Sequence, residues 1–249
     1  MGLKRCEAIV LKSQKLGELD KIVTFLSRDE GKLRGVAKGA RKLKQRFGPA
    51  FEPMTHAHIV YFEKGTSDLV RVESAEIVRC YFPESGETAA VLACVAELMD
   101  GFAQEKEAND ALFRLGLAVA GAANEGNGRV ALTYFEIWLL RLAGLLPSIG
   151  RCAGCNRDVG EDESLHAMAE VGGLRCDRCC ARPGMSLGPA QRRFIAESFR
   201  TPPSEMATRD PAPVAIALAC HRYLRTAIEH TLGRRVKSYS IVDLNLGEA

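Results

Sequence analysis

Ile22-Val23-Thr24-Phe25-Leu26, the turn Asp29-Glu30-Gly31, and then Leu33-Arg34-Gly35-Val36 decide the fold of the first third of the chain. β-Branched and aromatic residues fit a pleated, half-buried surface, while Asp and Gly favour the tight turn between the runs. Each run therefore reads as a short strand. Working outward, Ala8 to Leu11 is an apolar strand before them, and His58 to Phe62 and Leu69 to Val78 are two more after them. Gly65-Thr66-Ser67 reads as the hairpin connection of the last pair. Five short strands suit a small barrel, either an oligonucleotide-binding (OB) fold or an SH3-like barrel.

After Pro83 the apolar period changes from two to that of a helix. Val91, Leu92, Val95, Leu98, Met99 and Phe102 mark a helix over Thr88 to Gln104. Further helices are expected over Ala111 to Ala123, Val130 to Leu146, Pro189 to Phe199 and Pro213 to Leu232. Pro189 and Pro213 suit the first turn of a helix, where the missing N–H costs nothing. Phe135, Trp138 and Leu142 are three and four apart, so they share a face that reads as core. The change of period divides the chain into an expected barrel domain, residues 1–82, and a helical domain, residues 83–249. The class is α+β.

The 249 residues are 47% apolar and 26% charged, enough to bury a core and unlike a disordered chain. No apolar window is long enough for a membrane span. Met1 to Glu7 has no apolar core of a signal peptide, so a cytoplasmic, nucleoid-associated location is expected. Charge is unevenly placed: residues 1–80 carry 16 Lys+Arg against 10 Asp+Glu, and residues 81–249 carry 18 against 21. The basic N-terminal part can meet a polyanion.

The excess concentrates in Lys32, Arg34, Lys38, Arg41, Lys42, Lys44 and Arg46, seven cations in fifteen residues without an acid. Lys32 and Arg34 alternate along a strand and share a face. A run of charge is usually only a solvated face. Here it has one sign and lies beside a candidate barrel, and Phe47 and Phe51 offer stacking faces, as a single-stranded nucleic-acid groove requires. His56 and His58 point to one side of their strand, and no acidic partner is evident nearby in sequence.

Cys152-Ala-Gly-Cys155 and Cys176-Asp-Arg-Cys179 form C-x2-C-x20-C-x2-C. Two residues between thiolates let one turn aim both sulfurs at one ion, and two such knuckles close a tetrahedron around zinc. Four thiolates leave no open position, so one structural Zn2+ is expected, in an insert over about residues 150–182. Cys180 is an alternative to Cys179. His166 suits a turn or strand better than a ligand. Cys6, Cys80, Cys94 and Cys220 read as small buried hydrophobes.

No G-x-x-x-x-G-K-[ST], G-x-S-x-G or H-E-x-x-H motif occurs in the sequence, and no catalytic residue is assigned. The reading is a non-enzyme. A zinc-containing nuclease or an RNA-binding adaptor is the alternative, and an open zinc shell or a preference for RNA would favour one of them.

The stretch Leu16-Gly17-Glu18-Leu19-Asp20-Lys21-Ile22-Val23-Thr24, then Gly31-Lys32-Leu33 and Ala37-Lys38-Gly39-Ala40-Arg41-Lys42, resembles the N-terminal domain of the bacterial RecO recombination mediators. Tyr134 to Pro147, leading into Cys152 and Cys155, resembles the helical domain of the same family. The resemblance covers nearly the whole chain in order. It implies an OB fold, a helical domain with a zinc-binding insert, and a role in recombinational DNA repair. It implies that the protein binds single- and double-stranded DNA and anneals complementary strands. It further implies that the protein helps RecA load onto strands coated by single-stranded DNA-binding protein (SSB), together with RecR. RecF is a further candidate partner, and the SSB C-terminal tail is expected to dock on the helical domain.

Overall fold

A computed structural model of the chain describes residues 2–41, 47–63, 68–167, 173–180 and 184–245. By packing, these fall into two compact units, Met1–Asn124 with Val236–Ala249, and Glu125–Arg235.

The first unit opens with β1 (Gly2–Leu16), β2 (Asp20–Ser27), β3 (Gly31–Ala37), β4 (His56–Glu63) and β5 (Leu69–Arg79). They close into a barrel in the order β1-β2-β3-β5-β4, with β1 and β4 sealing the cylinder. β3 and β5 run parallel, and every other pair is antiparallel. A simple meander cannot give that parallel pair, so the barrel is an OB fold rather than an SH3-like one. The expected strands all form, and β1 extends well beyond Ala8–Leu11 at both ends. The proposed connection Gly65-Thr66-Ser67 lies outside the described residues. Val23, Phe25, Ile59, Tyr61, Val70 and Val72 fill the interior.

Phe47 and Phe51 belong to that same interior, 4% and 1% exposed, with ring centroids 4.7 Å apart. The expectation that they offer stacking faces is therefore corrected. A short 3-10 turn, Gly48–Phe51, tucks both rings into the barrel, because burying two large apolar rings outweighs leaving them in water.

The helices α1 (Gly86–Phe102) and α2 (Asp110–Glu125) follow the barrel, and α7 (Lys237–Asn245) packs on α1. Ser85 caps α1 by accepting the Thr88 N–H at 3.1 Å, and Asn109 caps α2 by accepting that of Leu112 at 2.9 Å. Glu97 of α1 caps α7, accepting the backbone N–H groups of Lys237 and Ser238 at 3.1 and 2.9 Å.

The second unit contains α3 (Gly128–Leu142), α4 (Pro189–Ser198), α5 (Pro203–Thr208) and α6 (Val214–Leu232). Helix α3 packs against α4, α5 and α6. It ends four residues earlier than its apolar pattern suggests. Gly144 adopts φ +70, and the N–H groups of Leu145 and Leu146 fold back to the Leu140 carbonyl. The face that reads as core is only partly so: Phe135 is buried, Trp138 is half-buried and Leu142 is 41% exposed. Pro189 sits in the first turn of α4, whereas Pro213 precedes α6 as its cap residue. No helix among the described residues is long and apolar enough to cross a membrane.

Candidate nucleic-acid interface and metal centre

Strand β3 alternates as its sequence demands. Leu33, Gly35 and Ala37 turn into the barrel, while Lys32, Arg34 and Val36 turn out. Arg34 is exposed, as are Lys38 and Arg41 in the segment after β3. Lys32 has a different surrounding. Its side chain is 15% exposed, and its ammonium donates to the Asp100 carbonyl at 2.6 Å, with the Asp100 carboxylate at 3.4 Å. The charge of Lys32 is thus spent at the end of α1. Lys42, Lys44 and Arg46 lie outside the described residues.

Pairing adds cations that are far away in sequence. Lys12 stands opposite Thr24, and Thr24 stands opposite Arg34, so Lys12 and Arg34 belong to one cross-strand row. Lys15 stands directly opposite Lys21. Like charges in that position repel unless an anion relieves them. Nothing in the linear sequence singles out Lys12, Lys15 or Lys21, because only the strand register makes them neighbours of the basic segment.

Arg41 also braces the chain. Its guanidinium donates to the carbonyls of Gly17 and Glu18 at 3.3 and 2.8 Å, and its backbone N–H donates to the Leu19 carbonyl at 3.0 Å. The Gly39 N–H donates to the Asp20 carboxylate at 2.8 Å. The β1–β2 turn and the segment after β3 are therefore one connected element.

On β4, His56 does have an acidic partner, contrary to the expectation from sequence. Glu7 of β1 lies 2.8 Å away, and Arg28 donates to the same carboxylate at 3.2 Å. Burial would raise the Glu7 carboxyl, but these two donors outweigh it and hold it below its ordinary value. The pair braces the barrel.

In the second unit, Cys152, Cys155, Cys176 and Cys179 bring their sulfurs within 4.8 Å of one another. Cys152 and Cys176 are buried, Cys179 is half-buried and Cys155 is exposed. The Cys155 and Cys176 sulfurs are 3.9 Å apart, close to the ~3.8 Å edge of a tetrahedron of metal-bound thiolates. The Cys152 sulfur accepts backbone N–H groups from Gly154 and Cys176, both at 3.3 Å. Burial opposes ionisation of Cys152, but backbone donors from Cys176, Cys155 and Gly154 prevail and bring it down to about 6. Arg157, held by Glu163, keeps the Cys176 thiol below its usual range. Cys179 is pushed up to about 12, first by its contact with Cys155 and then by burial and the other thiols. Four such groups cannot all ionise unaided, and a cation at their centre relieves that crowding. The donor set fits one metal ion with a closed shell. Cys180 is not part of the cluster.

The scaffold around the cluster is local. β6 (Leu165–Ala167) lies between β7 (Leu174–Arg175) and β8 (Ser186–Leu187). His166 of β6 bonds Ser186 at 2.7 Å and Asp177 at 2.5 Å, so it orders the second knuckle without being a ligand. Buried Arg192 of α4 donates to four carbonyls, those of Ile149, Val159, Gly160 and Glu163, at 2.6–3.0 Å.

Comparison with known proteins agrees along the chain. Residues 1–81 match the family described as "Recombination protein O N terminal", and residues 83–240 match "Recombination protein O C terminal". A "DNA repair protein RecO" of Koribacter versatilis is 35% identical over 247 residues, covering 97% of this chain and 98% of the relative. One from Anaeromyxobacter dehalogenans is 32% identical, covering 98% and 97%. One from Bifidobacterium longum is 30% identical, covering 98% and 100%.

Proposed function

The chain belongs to the RecO family of DNA repair proteins, and from that premise we propose that it is a non-enzymatic recombination mediator. It binds single- and double-stranded DNA, anneals complementary strands, and with RecR helps RecA load onto SSB-coated single strands. RecF is a further candidate partner, the SSB C-terminal tail docks on the helical domain, and the work takes place in the cytoplasm at the nucleoid.

The observation that carries this reading is the exposed Arg34, Lys38 and Arg41 on an OB barrel, with Lys12 in the cross-strand row of Arg34 and Lys15 and Lys21 in that of Ala37, the residue before Lys38. Lys42, Lys44 and Arg46 continue the same acid-free run in sequence. Two DNA strands repel through their phosphates. Cations along one surface offset that repulsion and release counterions, and base pairing then supplies the driving force without a nucleotide. Lys32 contributes to folding, not to this surface.

Cys152, Cys155, Cys176 and Cys179 would hold one Zn2+ as a structural ion. When bound it neutralises the thiolates and fixes the insert. The chain orders the ligands through Arg157, His166 and Arg192. A closed four-thiolate shell favours this reading over a zinc nuclease, which needs an open position.

The test is annealing of complementary strands coated with SSB, with and without RecR. Faster annealing than SSB-coated DNA alone supports the proposal. No binding and no acceleration at low salt would exclude it.

A further inference from the structure

The turn between β1 and β2 ends in two leucines that face water. Leu16 is 38% exposed and Leu19 is 48% exposed. A single exposed leucine is ordinary. Two at one tight turn, Leu16 ending β1 and Leu19 within the turn, with the exposed cations Lys15, Lys38 and Arg41 in the elements it joins and the exposed carboxylate of Glu18 between them, are less so. Gly17 takes φ +60, a left-handed conformation that the tight reversal between Leu16 and Asp20 demands and that glycine supplies without strain.

Flexible tips lose much of any contact energy to ordering. This one is already ordered. All three carbonyls of the turn, those of Gly17, Glu18 and Leu19, accept hydrogen bonds from Arg41, and Asp20 holds Gly39. The same brace fixes the leucines relative to the exposed cations Lys15, Lys38 and Arg41. An apolar tip at which three exposed cations, Lys15, Lys38 and Arg41, outnumber the one exposed carboxylate, Glu18, matches a ligand with flat apolar faces strung on a negative backbone. Single-stranded nucleic acid has both; in a duplex the base faces are stacked away.

Resting on the DNA-binding reading above, we propose that Leu16 and Leu19 form an apolar platform that takes an unstacked nucleobase while Lys15, Lys38 and Arg41 take the adjoining phosphates. The cations then bind any DNA, and the leucines make the surface prefer single strands. Apolar side chains are known to pack against or between bases in this way.

The experiment compares a thymidine oligonucleotide with the same strand paired to its complement, over a salt titration. Wild type, Leu16→Ser/Leu19→Ser and Leu19→Phe are measured on both. Single-strand affinity should fall about tenfold in the double variant, duplex affinity should stay within about twofold, and the salt slope should not change. Leu19→Phe should tighten single-strand binding by offering a larger flat face. Equal losses on both forms, or none on the single strand, would overturn the platform. So would unchanged DNA binding with loss of RecR capture, which would assign the leucines to a protein partner. Wild type that binds neither form would overturn the DNA-binding reading as well, so the two failures are distinct.

Discussion

The Nδ1 atom of His221 on α6 lies 3.0 and 2.9 Å from the two carboxylate oxygens of Glu136 on α3, and both residues are buried. The pair joins two packed helices whose buried residues include Phe135 and Leu139 of α3 and Cys220 and Leu224 of α6. Removing one partner takes a close polar contact from the other in the interior, whereas replacing both with apolar residues removes the need for it. His221→Ala should therefore lower stability by about 3–5 kcal/mol in urea unfolding. Glu136→Leu/His221→Leu should be more stable than His221→Ala alone. Equal losses in the two variants would mean that the pair is not coupled.

Arg192 ties α4 to residues 149–163 through four carbonyls, that of Val159 in a buried place and the other three partly buried. Arg192→Met keeps the apolar stem and removes the donors. Stability should drop by at least ~2 kcal/mol. Amide exchange should quicken in residues 149–163 before it does in α3.

The cysteine cluster predicts bound metal. Protein purified without chelator should hold one zinc per chain by elemental analysis. Cys155→Ser and Cys176→Ser should each lose it, and the insert should become open to protease, since ligation contributes folding free energy. Acid should also release the metal, because protons compete for the thiolates. Full zinc retention in both variants would remove the assignment.

The basic surface predicts a division of labour. Arg34→Ala, Lys38→Ala and Arg41→Ala together should weaken DNA binding and flatten its salt dependence by up to ~0.7 per lost contact on single strands. Lys32→Ala should leave that slope unchanged and lower the melting temperature instead, because its ammonium serves Asp100. A flatter slope in Lys32→Ala would return that residue to the DNA surface.

Acid should unfold the protein in a defined window. Arg28 and His56 keep Glu7 below its ordinary value against the effect of burial, and Arg28 does the same for Asp110. A depressed carboxylate contributes stability that is fully present above its unfolded value of about 4, and that is lost as pH falls through its lower folded value. Melting temperature should thus be level from neutral pH to about 5 and fall below about 4. Arg28→Gln should shrink that fall, since both carboxylates lose a donor.

Sequence by itself determined the local chemistry. The strand runs around Ile22–Leu26 and Leu33–Val36, the α-period after Pro83, the reading of His166 as a turn or strand residue rather than a ligand, and the paired cysteine knuckles were all legible, because each depends on neighbours a few residues away. Tertiary structure decided what depends on distant partners. Strand register placed Lys12 in the row of Arg34 and Lys15 and Lys21 in the row of Ala37, and Asp100 turned Lys32 from a surface cation into an internal tie. Barrel closure took Phe47 and Phe51 from solvent into the core, and α1 gave α7 its place through Glu97. A side chain's type fixes which interactions it can make. Only the folded chain, by bringing remote groups within hydrogen-bonding or van der Waals reach, selects which of them it does make.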